Sequence, residues 1–393
     1  MALWQEISGY RHTLSALEQT NDNIELGRED QAYWWNSLAP SLAALLERNQ
    51  YSEEEQLYYL RWFHQWIAPA LGPRPRYGKP FYASGLTHDK SCIEFSQNWK
   101  EKSPEQLVRF TLEPSTRESG TASDLFNQKA AKDVLTRMAR EVPGIDLKRF
   151  DHFFTETSVP EEVSEEIASK ILPGQARAHV LIAFDLDHGG PGAKAYFVPQ
   201  VKATYLGIPQ KTIIFDAIRK WKSPAGSYDP SVLALDSYLE SLPAEQTPQP
   251  FLVAVDCDDN PRSRIKVYLN NTSVDTLARA KDMFQLGGRL SSPNMRECIK
   301  AIEAWWRHIF DLEGPGADDK KVLFGQLCCV FAFEMRPTPQ GQDDPDMEVK
   351  LHLPLWVLGK TDAQIGDRLG DWFRSHNHNG FSERYLRDLE YAL

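Results

Sequence analysis

Apolar and polar residues alternate along one short segment with the two-residue period of a β-strand. Residues 264–269 read RIKVYL, so Arg264, Lys266 and Tyr268 share one face of the strand and three aliphatic residues share the other. Similar alternation recurs in further segments, which are separated by long helical stretches. The pattern predicts a closed sheet whose apolar face packs against helices and whose polar face lines an interior.

Four strand pairs are predicted, each followed by a mainly helical stretch. The pairs occupy about 90–113, 178–203, 250–271 and 322–358, and the helical stretches occupy about 122–171, 210–242, 272–313 and 361–393. The pairs start roughly 70 to 90 residues apart, which is long enough for a helix–strand–strand–helix unit to repeat. We therefore expect an α+β protein with an αββα-repeat barrel, in which about ten antiparallel strands would leave room for substrates.

The chain is expected to form one domain over 1–393. Its first part, 1–80, is predicted to be helical over about 8–20, 30–48 and 53–68 and to stop at a proline-rich segment. The barrel repeats then fill 81–393. A fifth strand pair would begin just after residue 393, so the last repeat is expected to lack its strands.

Composition narrows the class of partner. The net charge of −11 argues against a nucleic-acid binder, which needs a basic surface. The sequence has neither an apolar run long enough to cross a membrane nor a secretory leader, so we expect a cytoplasmic protein without a membrane partner. The five cysteines lack metal-site spacing and are predicted to be buried thiols. A homodimer is compatible with the sequence.

The polar positions predicted to face the interior are rich in cations. They are Glu94 and Arg109 on the first strand pair, Lys194 and Tyr196 on the second, Arg264, Lys266 and Tyr268 on the third, and Lys350 and His352 on the fourth. Five cations beside one carboxylate would be costly if they were buried without a counterion. A diphosphate group would supply that counterion, because Arg and Lys bind its oxygens through charge-assisted hydrogen bonds.

These motifs, in this order, resemble the aromatic prenyltransferases of the dimethylallyltryptophan synthase type, which occur chiefly in fungi. The resemblance spans nearly the whole chain and rests on LGP (71–73), EFSQN (94–98), VRFTLEP (108–114), KAYFVP (194–199) and RIKVY (264–268). It implies the family's ten-stranded αββα barrel, which agrees with the repeats inferred from the alternation.

The resemblance implies transfer of a dimethylallyl group from dimethylallyl diphosphate to an indole- or tryptophan-derived acceptor in alkaloid biosynthesis, without a metal or other cofactor. Glu94 would accept the indole N–H, and Tyr196 and Tyr268 would shield the allylic cation. His352 stands where many members have another shielding tyrosine, and it could shield the cation or bind phosphate. The diphosphate would be held by Arg109, Lys194, Arg264, Lys266 and Lys350.

Several alternatives stay open at this point. Asp187 or His188 could remove the proton from the alkylated ring, or both could be turn residues. The acidic motifs at 256–259 and 343–346 could bind magnesium but are better explained as loops between paired strands. A weakly active or inactive ligand-binding remnant, lacking the strands that close the barrel, is one alternative function. An enzyme that prenylates a phenolic or polyketide ring is another.

Overall fold

The computed structural model describes residues 14–87, 89–99, 106–171, 178–271, 273–291, 294–322 and 329–392. The start of the first predicted helix, at 8–13, lies outside the described residues, as does the segment 323–328 of the fourth predicted strand pair.

Among the described residues, eight antiparallel strands form one sheet in which each strand pairs with the next along the chain. The predicted αββα order is therefore confirmed, and within the described ranges β1 and β8 are the two edges of this sheet. The strands are β1 (Ile93–Trp99), β2 (Gln106–Leu112), β3 (Val180–Asp187), β4 (Gly190–Phe197), β5 (Gln249–Asp256), β6 (Ile265–Asn271), β7 (Cys329–Met335) and β8 (Met347–His352).

Helices precede, separate and follow the strand pairs. The described α-helices are α1 (Ser15–Asn23), α2 (Glu29–Arg48), α3 (Glu53–Trp62), α4 (Lys129–Glu141), α5 (Lys148–Thr157), α6 (Ser164–Lys170), α7 (Gln200–Leu206), α8 (Gln210–Lys220), α9 (Asp229–Ser241), α10 (Leu277–Phe284), α11 (Met295–Phe310), α12 (Asp362–Ser375) and α13 (Asn379–Ala392). α3 begins with a capping box between Ser52 and Glu55. It continues into a π-helical turn at Phe63–Ile67 and a 3₁₀ turn at Ala68–Leu71, just before the proline-rich segment.

The outer face of the sheet is apolar and buried under the helices. Val253 and Val267 are fully buried on neighbouring strands, and Phe333 continues the same face on β7. The rings of Phe150 on α5 and Phe197 on β4 lie 5.5 Å apart, so this helix packs directly on the sheet. Burial of this face stabilises the fold, and it leaves the polar residues of each strand on the opposite, inner face.

The N-terminal helices pack on the strands as well as on each other. Trp62 at the end of α3 lies edge-on to Phe184 of β3, with 4.9 Å between the ring centroids. The Tyr51 hydroxyl donates a hydrogen bond of 2.6 Å to the carbonyl of Leu186. At the other end of the chain the Tyr391 hydroxyl of α13 donates to the Glu47 carboxylate of α2 over 3.1 Å. These contacts join the N-terminal helices to the sheet and to the last helix, α13.

Candidate active site

All nine residues predicted to line the interior lie on the inner face of the sheet. Cross-strand neighbours point to the same side, and the register places Lys194 beside Asp256 and Lys266 beside Glu334. Small residues separate the long side chains: Ala183, Ala254 and Ala332 occupy inner positions on β3, β5 and β7. The inner face therefore alternates long polar side chains with small ones.

Three aromatic rings form a strip across β4, β6 and β8. The ring centroids of Tyr196 and Tyr268 are 6.0 Å apart, and those of Tyr268 and His352 are 5.9 Å apart. Burial, with Asp185, raises the pKa of Tyr196 to about 12, so its phenol is neutral. Desolvation by the surrounding protein, with Lys350, lowers the pKa of His352 and keeps the imidazole uncharged near neutral pH. Uncharged ring faces of this kind attract cations.

The described part of the interior contains Asp185, Asp256 and Glu334 besides Glu94, so the expectation of one carboxylate among five cations is wrong. Asp185 pairs with Lys194 and with the Arg109 Nε, which lies 3.1 Å from its Oδ1. Asp256 lies 3.4 Å from the Nε of Arg264. Asp256 is the last residue of β5, and Asp185 lies two residues before the end of β3. The sequence suggests turns at both places. Strand parity was the signal that could have placed them on the inner face.

Glu334 is a further carboxylate that the sequence analysis missed, and it contacts three cations. Its oxygens lie 2.9 Å from Arg264 Nη1, 3.5 Å from Lys266 Nζ and 2.6 Å from Lys350 Nζ. Burial raises the pKa of Glu334, but the three cations outweigh it and bring the pKa to about 2. Burial lowers the pKa of Lys266 to about 8 despite this neighbour. The five cations still outnumber Asp185, Asp256 and Glu334, so this part of the interior favours an anion.

Glu94 lies at the other side of the inner face. It pairs across strands with Thr111, and the same row continues through Ala183 to Lys194. Desolvation raises the pKa of Glu94, while a hydrogen bond with the Thr111 side chain acts in the opposite direction. Three strand spacings, about 14 Å in total, separate Glu94 from Lys194 along the sheet. An aromatic ring and a short prenyl chain can fit between a hydrogen bond to Glu94 and a diphosphate at the cations.

The two candidates for the base differ in position. His188 lies in the β3–β4 turn, where its Nδ1 is 2.5 Å from the Glu55 carboxylate of α3, away from the inner face. Asp187 ends β3 on the inner side, since a Cβ added to Gly192 would come within 3.3 Å of its Oδ2. The geometry therefore favours Asp187 over His188 as a group that faces the interior.

Among the described residues no group of three or more potential metal ligands is found. Asp258 pairs with Arg149, and Asp346 of the β7–β8 loop pairs with Arg262. The expectation that the whole 256–259 motif is a loop is wrong at its first residue, because Asp256 ends β5 and faces the interior.

Arg149 of α5 holds the turn between β5 and β6. Its side chain is 4% exposed, and its guanidinium donates to the carbonyls of Asp256 over 2.6 Å and of Asn260 over 2.9 Å. This turn carries Asp256 at its start and Arg264 at its end. Arg149 therefore fixes the backbone that positions one of the charge pairs in the interior.

Replacing Arg149 with methionine is expected to destabilise the fold, because two carbonyl acceptors would lose their buried charged donor. We expect the free energy of unfolding to fall by about 2–5 kcal/mol, measured by urea denaturation. Arg137→Met is the matched control, since Arg137 is exposed and hydrogen-bonds only weakly to its own helix. Equal stability of the two variants would show that the turn does not depend on Arg149.

Comparison with known proteins identifies the family. The sequence pattern described as tryptophan dimethylallyltransferase matches residues 30–388. The chain belongs to this family. It is accordingly an aromatic prenyltransferase.

Individual relatives agree with this family. The chain is 47% identical to prenyltransferase iacE of Pestalotiopsis fici, over 100% of this chain and 91% of that protein. It is 29% identical to 7-dimethylallyltryptophan synthase hasE of Aspergillus fumigatus, over 91% of this chain and 77% of that protein. The crystal structure of AnaPT from Neosartorya fischeri superposes with a TM-score of 0.81 at 28% identity, covering 95% of this chain and 88% of that one. Among the described helices of this family member, none is long and apolar enough to span a membrane.

Proposed function

We propose that this prenyltransferase transfers a dimethylallyl group from dimethylallyl diphosphate to an indole-containing acceptor. The observation that carries the proposal is the position of the five inner cations beside the aromatic strip of Tyr196, Tyr268 and His352, with Glu94 further along the same face. A diphosphate, an allylic cation and an N–H donor each find a matching group in this arrangement.

In the proposed first step the C–O bond of dimethylallyl diphosphate breaks. Negative charge grows on the departing diphosphate, and fixed cations stabilise it without further reorganisation. Arg264 and Lys266 both contact Glu334, over 2.9 and 3.5 Å. Because side chains supply the positive charge, we propose that the reaction proceeds without a metal ion.

In the proposed second step the ring attacks the allylic cation. The faces of Tyr196 and Tyr268 stabilise this cation by about 2 kcal/mol or more when water is excluded, and they also protect it from capture by water. Glu94 accepts the indole N–H, which fixes the pose of the ring and increases its electron density. A base then takes the proton from the alkylated carbon, and Asp187 is our candidate because it faces the interior.

A phenolic ring is the second candidate acceptor. The raised pKa of Glu94 would allow this carboxylate to take a proton from a ring hydroxyl as well as to accept an N–H. In addition, the relative with 47% identity is named only as a prenyltransferase, whereas the indole- and tryptophan-specific names belong to more distant relatives. We favour indole because an ionised carboxylate is a pure acceptor that suits an N–H donor.

The setting we propose is the cytoplasm, in an alkaloid or related secondary-metabolite route. Within the described residues Cys92, Cys257, Cys298 and Cys329 are free thiols, which suits a reducing compartment. The prediction that the cysteines are buried is wrong for Cys298, which is exposed, and Cys328 lies outside the described residues.

A turnover assay tests the proposal. Dimethylallyl diphosphate is offered with tryptophan, a tryptophan-containing cyclic dipeptide or a dihydroxynaphthalene, each with EDTA present. A prenylated indole product formed despite EDTA is the expected result, and a product from the phenol alone would change the acceptor class. Diphosphate release without a prenylated product would support the weakly active remnant. Failure to bind either substrate would contradict the proposed function.

A further inference from the structure

Glu334 has an unusual position among the inner cations. Its side chain is 3% exposed, yet it contacts Arg264, Lys266 and Lys350 at once, over 2.9, 3.5 and 2.6 Å. Arg264 directly precedes β6, Lys266 lies on β6 and Lys350 lies on β8. Glu334 lies on β7, between these two strands. One buried carboxylate therefore ties together three of the five groups that the proposed function assigns to diphosphate binding.

The charge balance of this cluster favours an additional anion. One carboxylate holds three cations, and Asp256 is the other carboxylate that contacts Arg264. Without Glu334 the three cations would repel one another and their flexible side chains would lose a common anchor.

We propose that Glu334 is a positioning residue of the diphosphate site, which holds Arg264, Lys266 and Lys350 in a converging arrangement before the substrate enters. The inference rests on the proposed function. Glu334 does not touch the diphosphate in this scheme; it acts by lowering the cost of bringing three like charges together and by fixing where their remaining donors point.

The pH dependence of binding gives this role a distinct signature. Burial lowers the pKa of Lys266 to about 8, and the attraction of Glu334 and Asp256 keeps it from falling further. Loss of the Glu334 charge would therefore lower the pKa of Lys266 further, so the ammonium would be lost at a lower pH. The groups that influence or face Lys266 are Glu334, Asp256, Arg264, Lys194, His352 and the inner-face tyrosines Tyr196 and Tyr268.

The experiment measures binding of dimethylallyl S-thiolodiphosphate, an analogue that resists ionisation, by calorimetry between pH 7 and 9.5. For the wild-type protein we expect affinity to fall as pH rises through about 8. For Glu334→Gln we expect affinity at pH 7.5 to be at least about tenfold lower and the fall to begin about one pH unit lower. Adding Lys266→Arg to Glu334→Gln should abolish the fall in this range, because arginine stays protonated.

Glu348→Gln is the matched control. Glu348 is the cross-strand neighbour of Glu334, but it is exposed and pairs with Arg336 over 3.0 Å. This variant should bind the analogue with wild-type affinity and pH dependence. If Glu334→Gln does not fold, Glu334→Asp keeps the charge on a shorter side chain, and it should bind more weakly while keeping the wild-type pH dependence.

The possible outcomes separate the two levels of inference. If the wild-type protein binds the analogue and Glu334→Gln binds it with the same affinity and pH dependence, the positioning role is overturned while the proposed function stays intact. A weaker affinity without any shift in the pH dependence would assign Glu334 a general structural role and would also overturn the proposal. A wild-type protein that does not bind the analogue would contradict the proposed function, and this inference with it.

Discussion

Replacing Arg264 with alanine is expected to lower kcat/KM for dimethylallyl diphosphate by about 10²–10³-fold, the range found when one fixed donor to a developing anion is lost. Arg264 contacts both Asp256 and Glu334, over 3.4 and 2.9 Å. Its loss removes one positive charge and also leaves those two carboxylates less neutralised. Both changes raise the free energy of a diphosphate in the interior, and the second makes the effect larger than at an isolated arginine.

The measurement compares steady-state kinetics with direct binding of dimethylallyl S-thiolodiphosphate. Lys266→Ala should weaken binding in the same direction, because Lys266 lies beside the same carboxylate. Arg262→Ala is the control: Arg262 is two residues away but exposed, and it pairs with Asp346 in the neighbouring loop. Unchanged affinity in both Arg264→Ala and Lys266→Ala would refute the roles proposed for these cations.

The fold was predictable because two periods dominate this sequence, the two-residue period of strands and the 3.6-residue period of helices. Alternation of period two placed the first three strand pairs near their observed positions, and it assigned the correct face to residues such as Lys194 and Tyr268. The fourth pair was predicted to run to 358, which is wrong, because β8 ends at His352 and a 3₁₀ turn occupies Leu355–Leu358. Local breaks were less visible. The helical stretch 122–171 contains α4, α5 and α6, and α3 passes through a π-helical turn at Phe63–Ile67 that a helical period cannot reveal.

The candidate site was only partly predictable, for a physical reason. The cations were found because charges that alternate with apolar residues are conspicuous. Asp256 was interpreted as a turn residue because an aspartate at a strand end is common in turns. Which carboxylate meets which cation depends on the register between strands, such as Lys266 beside Glu334, and no single strand contains that information.

Replacing Glu94 with alanine is expected to lower kcat/KM for an indole acceptor by about 10- to 150-fold, which corresponds to the 1.5–3 kcal/mol of a hydrogen bond to a charged group. The acceptor ring would lose the anion that binds its N–H, whereas the diphosphate site would be unaffected. KM for dimethylallyl diphosphate should therefore stay unchanged and serves as the internal control. A phenolic acceptor should lose much less, and equal losses for both acceptors would contradict the assignment of Glu94 to the indole.

The pH profile provides a second check on Glu94. The N–H must be accepted by the ionised carboxylate, so indole turnover should fall as pH falls through the pKa of Glu94. Desolvation raises that pKa, so the acid limb should lie above the usual range of a glutamate, and the limb should be absent from Glu94→Ala. In Thr111→Val the limb should move to higher pH, because the Thr111 side chain hydrogen-bonds the carboxylate and lowers its pKa. A Thr111→Val profile identical to that of the wild type would show that the limb belongs to another group.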